Sequence, residues 1–282
     1  MKISLSLFSM VVLSFSLLSH ASTTDSITPN SVTSDQLTAE EKGLAIAREW
    51  KRRDEGWGDY TANAKMVLKN KHGQESERHF KYYSMEVLEH GEKVDGDKVL
   101  VVFDRPRDVN GTALLTYAHY EEDDDQWLYL PAIKRTKRIS SHNKSGSFVG
   151  SEISYEDITF PEVEKYTYRW VREEKVGDLN FDVVDRFPVD KENTGYLYQR
   201  VWYDQDHVRI FKIDFYDRKQ SLLKTQTFSG FKRYLDSIWR ADYENFVNHQ
   251  TGKSTLLTWT NYKFHIGLTE KAFRKNSLER LR

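Results

Sequence analysis

Three stretches of the chain carry residue types that do chemistry in other proteins. The first is Gly146-Ser-Phe-Val-Gly150. Glycines at this spacing frame the nucleophile elbow of serine hydrolases, but that turn needs a serine midway, and Phe148 stands there. The segment also lacks the Gly-Lys-Ser/Thr ending of a phosphate-cradling loop. The second stretch runs from Glu121 to Gln126, EEDDDQ. A calcium loop alternates its oxygen ligands around a glycine, whereas these acids are adjacent and uninterrupted, so the stretch reads as a solvated hairpin turn. The third is KRTKR, with Lys134, Arg135, Lys137 and Arg138 crowded together. It has two readings: a charged sheet edge that resists edge-to-edge pairing, or a contact for anionic lipid headgroups or an acidic partner surface.

Other chemistry finds little support. Many Asp and Glu residues could meet in pairs, as glycoside hydrolysis requires, but no spacing singles out one pair. The nine histidines are scattered, without an HExxH motif. There is no cysteine, which removes disulfides, thiolate metal sites and thiol nucleophiles. No catalytic residue, metal site or cofactor is assigned from the residues, and the chain is not read as an enzyme. With 42 basic and 43 acidic residues, charge is nearly balanced, which argues against a general nucleic-acid binder.

The elements that must position these stretches are mostly strands. Residues 1–21 read as a secretory signal peptide: Lys2, an apolar Ser-dotted run from Ile3 to Leu18, then Ser19-His20-Ala21, with cleavage expected after Ala21. No cysteine follows the cut, so the mature chain is not expected to be a lipoprotein itself. Residues 22–37 are rich in Ser and Thr and read as a flexible arm. Thr38 and Glu41 fit a capping box, and the spacing of Leu44, Ala47 and Trp50 predicts a helix over 39–53. From there on, aromatic and β-branched runs alternate with turn signals such as His72-Gly73, Asn110-Gly111 and Thr251-Gly252. That pattern predicts one domain over 38–282, a meandering antiparallel sheet that curls into a barrel or partial barrel. Helical character returns near Thr269. Two helices are few for covering so many strands, and a partly covered concave face would leave an apolar hollow.

WLYLPAIKRTKRI followed by GSFVGSEISYEDI, with FDRPRDVNGTALL upstream, resembles the outer membrane lipoprotein-sorting protein family of LolA-like periplasmic proteins. It is similar in particular to the longer branch found alongside RND-type (MMPL-like) inner-membrane exporters. The resemblance extends over nearly all of the mature chain. It implies a mainly β fold, an unclosed antiparallel β-barrel whose N-terminal and C-terminal helices cover the concave face. It also implies a periplasmic, monomeric carrier that shields lipid or lipoprotein acyl chains. Its partners would be an RND-type inner-membrane transporter and an outer-membrane acceptor. The alternatives are an accessory subunit that carries nothing and a glycan-acting enzyme. For the lipid-binding wall the expectation is Met66, Leu68, Phe103, Leu114, Leu128, Leu130, Phe148, Trp202 and Phe211, with Phe148 on a flexible crossing at the mouth. Strand alternation sends Trp127 and Tyr129 to one face and Leu128 and Leu130 to the other. Lys134, Arg135, Lys137 and Arg138 become a partner- or headgroup-facing rim.

Overall fold

The computed structural model describes residues 37–158 and 161–280. The expected signal peptide, its cut and the arm through residue 36 lie outside the described residues.

Helix α1 spans Ala39–Arg53. Its start is set as the sequence predicts. The Glu41 N–H donates to Thr38 Oγ1 at 3.2 Å, and the Thr38 N–H donates to the Glu41 carboxylate at 2.9 Å. Glu40 and Glu41 in the first turn and Lys51, Arg52 and Arg53 in the last complement the helix dipole.

Thirteen strands follow: β1 (Asp59–Lys69), β2 (Glu75–Glu89), β3 (Glu92–Arg105), β4 (Ala113–Tyr117), β5 (Asp125–Leu130), β6 (Arg135–Ile139), β7 (Tyr166–Val176), β8 (Leu179–Pro188), β9 (Tyr196–Asp204), β10 (Ile210–Asp217), β11 (Leu222–Tyr234), β12 (Ile238–Asn248) and β13 (Ser254–Phe264). They form one antiparallel sheet in the order β6-β5-β4-β3-β2-β1-β13-β12-β11-β10-β9-β8-β7. The last strand pairs with the first, Met66 opposite Leu257. The barrel is nevertheless unclosed, because β6 and β7 are the two free edges. These two strands are neighbours in sequence, so residues 140–165 must travel from one edge of the sheet to the other.

Alternation along the strands sorts side chains onto two faces. On the inner face, Val99, Val101 and Phe103 of β3 pack with Met66, Phe80, Leu114, Phe148 and Phe246. Further along, Ala47 and Trp50 of α1 pack with Tyr168, Val184, Val201, Tyr203 and Ile213 on the same inner face. The helix comes very close to β7 through Gly43: a Cβ there would lie 2.8 Å from the Trp170 amide nitrogen.

The outer face is apolar too. Leu100, Ala113, Leu115 and Tyr129 pack there against Phe273 and Leu278. The C-terminal stretch therefore departs from the expected helix over the concave face. It is a run of turns ending in a 3-10 stretch at Lys275–Arg280, and it covers the convex side of β3–β5. The physical reason is spacing. Phe273 and Leu278 would point about 140° apart on an α-helix, yet both are buried, at 0% and 1% exposure. Bonds from the Ala272 N–H to Thr269 O and from the Phe273 N–H to Glu270 O tighten the chain so that both reach one surface.

Candidate functional site

The inner face encloses a cavity of about 180 Å3 between α1, the sheet and the 140–165 crossing. One part of its wall is aromatic and aliphatic: Met66, Phe80, Val101, Phe148, Phe246 and Leu257. These residues come from β1, β2, β3, β12 and β13 together with the crossing, so the sheet's curvature is what brings them together. Rings meet edge to face there, Phe80 with Trp259 at 5.7 Å and Tyr82 with Trp259 at 5.4 Å between centroids.

The rest of the wall is not purely apolar. Glu244 on β12 faces the hollow and accepts from Trp259 Nε1 at 2.7 Å and Gln226 Nε2 at 3.0 Å. Withdrawal from water pushes its carboxyl up to about 7, against the pull of these two donors. Glu156 on the crossing is likewise pushed up to about 7 by burial and by neighbouring Asp157. It accepts from Thr194 Oγ1 at 2.9 Å and the Gly195 N–H at 3.0 Å. Arg186 of β8 donates its Nε–H to Gln199 Oε1 of β9 at 2.7 Å, and both side chains line the hollow. At the end near the α1 C-terminus, Arg240 pairs with Asp54, whose carboxyl burial raises above the ordinary value.

The crossing is a stitched plug rather than a flexible strap. The Phe148 N–H donates to Ile153 O at 2.7 Å, and Ser154 donates to Asp157 from both its N–H and its hydroxyl. The plug is tied to the sheet on several strands. Lys224 of β11 reaches Glu152 O at 2.9 Å and the Asp157 carboxylate at 2.5 Å. Asn248 of β12 donates to Glu152 at 2.7 Å, Thr255 of β13 accepts from the Glu152 N–H at 2.9 Å, and Arg78 of β2 donates to Val149 O. Small residues suit this path, because the chain must lie close over side chains already packed on the sheet.

The acidic run has a structural job. Asp123 holds Ser141 and Lys144 and Asp124 holds Lys165, so the β4–β5 loop clamps both ends of the plug, while Asp125 of β5 holds Arg138 of β6. Among the described residues no group of His, Asp and Glu is arranged to hold a metal ion.

The residues named from sequence are placed unequally. Met66 and Phe148 line the hollow. Phe103 and Leu114 lie on the same face at 1% and 0% exposure, beneath the plug, with Leu68 and Leu128 at the margin of that cluster. Leu130, at the end of β5, is half-buried and does not border the hollow. Trp202 and Phe211 belong to the outer face, where they pack with Phe181 and Val183. Phe148 is not at the mouth: it is 1% exposed, with Phe103 at 5.6 Å and Tyr155 at 5.7 Å between ring centroids. Trp127 and Tyr129 face outward beneath the C-terminal stretch, and Leu128 faces inward. Lys134, Arg135, Lys137 and Arg138 are all exposed on or beside β6, the free edge.

Sequence reasoning missed Trp50, Arg186, Gln199 and Glu244, which all line the hollow. A signal existed for Gln199, which shares a strand phase with Val201 and Tyr203 and so is a polar residue on an apolar stripe. Glu244 alternates with other charged residues in β12, and nothing marks it out.

An unclosed antiparallel barrel with a helix over its apolar concave face is a LolA-like fold. Comparison with solved structures agrees. A domain from Vibrio parahaemolyticus assigned as an outer membrane lipoprotein-sorting protein is 52% identical, covering 86% of this chain and 100% of its own, with a TM-score of 0.81. A DUF1329 family protein from Desulfovibrio piger is 31% identical, covering 86% of this chain and 100% of its own, with a TM-score of 0.79. A LolA superfamily protein from Nitrosomonas europaea shares the fold at 19% identity and a TM-score of 0.66, covering 85% of this chain and 99% of its own. A family model described as an uncharacterized protein matches residues 95–280. No protein of curated function matches. The chain belongs to the family of the outer membrane lipoprotein-sorting protein domain, and its fold is LolA-like.

Proposed function

We propose that the mature chain is a periplasmic carrier that shields lipid or lipoprotein acyl chains in its hollow and passes them between membranes. The observation that carries this reading is the plugged apolar cavity on the inner face, in a chain 52% identical to a domain assigned to lipoprotein sorting. The physical need is plain. Each methylene held in water rather than in an apolar site costs about 0.8 kcal/mol, so a chain of about sixteen carbons costs on the order of 12 kcal/mol. Rigid strand-borne aromatics supply contact area, and α1 with the plug would be the parts that yield to admit cargo. Among the described residues no helix is long and apolar enough to cross a membrane.

Loading would come from an inner-membrane transporter of the RND type, and unloading would be to an outer-membrane acceptor. The β6 edge offers a place to dock, because Lys134, Arg135 and Lys137 are exposed and have no ion-pair partner among the described residues. That edge also supports the second reading, an accessory subunit of the transporter that carries no lipid. Native mass spectrometry of protein purified from the periplasm, followed by lipid extraction, separates the two. The carrier reading expects co-purified acyl lipid and uptake of a fluorescent acyl probe. Protein that is empty and takes up no probe, yet still captures the transporter, overturns it in favour of the accessory role.

A further inference from the structure

Arg186 is 4% exposed and lines the hollow. A guanidinium does not lose its proton in a protein, so burial does not neutralise it. A buried charge is ordinarily matched by an opposite charge. Among the described residues Arg186 has no carboxylate within ion-pair distance. Its neighbours are the Gln199 amide oxygen at 2.7 Å and the Tyr166 ring at 5.2 Å, with Tyr203 beside it.

The nearby carboxylates are committed elsewhere. Asp157 is taken by Lys224 at 2.5 Å and by the Tyr196 hydroxyl at 2.9 Å. Glu156 is taken by Thr194 and the Gly195 N–H. Asp185, next in the chain, points to the opposite face and serves Arg200 at 2.6 Å and Arg169 at 3.5 Å. One side of β8 thus has two arginines sharing an acid, while the hollow side has an arginine with none.

Register gives this cation a setting. Arg186, Gln199, Phe215 and Lys224 are successive partners across β8, β9, β10 and β11. Gln199 spends its oxygen on the arginine, which leaves the amide nitrogen as a second donor. On the next two inward rows Gln226 stands between Ile213 and Phe246, and Glu244 stands between Phe228 and Leu257, so the apolar side chains there are interrupted by one amide and one carboxyl.

We propose that Arg186 and Gln199 form a receptor inside the hollow for a compact anionic head, carboxylate or phosphate, at the end of an acyl chain that lies along Phe215, Ile213, Phe246 and Leu257. This deepens the carrier reading and rests on it. It makes the cargo a single-headed anionic amphiphile bound head-inward, in place of a neutral acyl group attached to protein.

The test is displacement of a neutral fluorescent acyl probe from the whole mature chain by palmitate, methyl palmitate and palmitoyl lysophosphatidate at pH 7.5. At least one anionic competitor should act at about tenfold to a hundredfold lower concentration than the ester, the span expected of hydrogen bonds to a charged group. Palmitate acting alone identifies a carboxylate head, and lysophosphatidate acting alone identifies a phosphate head. Arg186→Gln should bring the anionic competitor to the level of the ester, and Arg186→Lys should keep part of the gap. Equal competition by all three in the unaltered protein overturns the anion site and leaves the acyl-chain hollow standing, and this comparison decides even if the Arg186 variants do not fold. A gap that survives in folded Arg186→Gln also overturns it. Absence of any probe binding removes the carrier reading and this proposal together.

Discussion

Lys224 and Asp157 meet at 2.5 Å with side chains 4% and 5% exposed, joining the middle of the sheet to the plug. Removing either partner leaves the other ion largely buried. Asp157→Ala should therefore lower stability by about 3–5 kcal/mol, the usual cost of stranding one member of a buried pair. Lys224→Met combined with Asp157→Leu should cost less than Asp157→Ala, because no charge is stranded. Urea midpoints of the three proteins check this. If the double variant is the least stable, the pair contributes more than mutual neutralisation.

Gly43→Ala tests how closely α1 must sit on the sheet. On an exposed helix the change to alanine stabilises by about 0.5–1 kcal/mol. Here the new methyl would lie 2.8 Å from Trp170 N and 3.0 Å from the Arg169 backbone, which no rotamer change relieves. The expected sign is reversed, with a loss of about 1–3 kcal/mol as the helix lifts from β7. Thermal denaturation gives the sign directly, and a gain in stability would show that the helix shifts freely.

Phe148→Ala should cost about 3–5 kcal/mol, as large-to-small changes in a packed interior do. Removing the ring also opens the hollow between Phe103 and Tyr155. The variant should therefore take up a bulkier acyl probe than the unaltered protein, and probe titration reads this. Phe148→Asp would be a poorer test of binding, because at 1% exposure the new charge would be buried.

The rim on β6 makes a prediction about membranes. Lys134, Arg135 and Lys137 changed together to serine should weaken binding to vesicles rich in anionic lipid. Each cation near such a surface is worth about 1 kcal/mol, so the loss should be on the order of a hundredfold. Neutral vesicles should show no difference. Unchanged vesicle binding with new self-association would instead identify the cations as a guard on the free edge.

The half-barrel was legible because its strands alternate and its turns are marked by Gly, Asn and Asp, and α1 was legible through Thr38 and Glu41. The choice of face was not. In β3 and β4 both phases are apolar, Val101 and Leu114 inward and Leu100 and Leu115 outward, since the C-terminal stretch covers the convex side. Trp202 and Phe211 were misplaced for the same kind of reason: an outer cluster with Phe181 gives them a second apolar destination. The plug was read as a flexible crossing because small polar residues mark both loose loops and tightly stitched ones. What distinguishes them here is long-range partners such as Lys224, Asn248 and Thr255, and one chain's local pattern does not reveal those.

Glu244 should give stability a pH dependence whose sign differs from that of an ordinary salt-bridged acid. Its carboxyl is held at about 7 in the fold, above the ordinary 4.5, because the hollow withholds water from the charged form. Between those two values the folded state binds more protons than the unfolded one. Stability from this group is then fully present below about 4.5 and is lost as pH rises through 7. Glu156, held at about 7 by burial and by Asp157, acts in the same window. Glu244→Gln keeps an amide oxygen to accept from Trp259 and Gln226 but cannot ionise. The variant should lose part of the fall in urea midpoint between pH 5 and pH 8 and should be the more stable protein at pH 8. The remaining slope should flatten further when Glu156→Gln is added. A Glu244→Gln protein whose pH profile parallels the original would show that water reaches this carboxylate in the hollow.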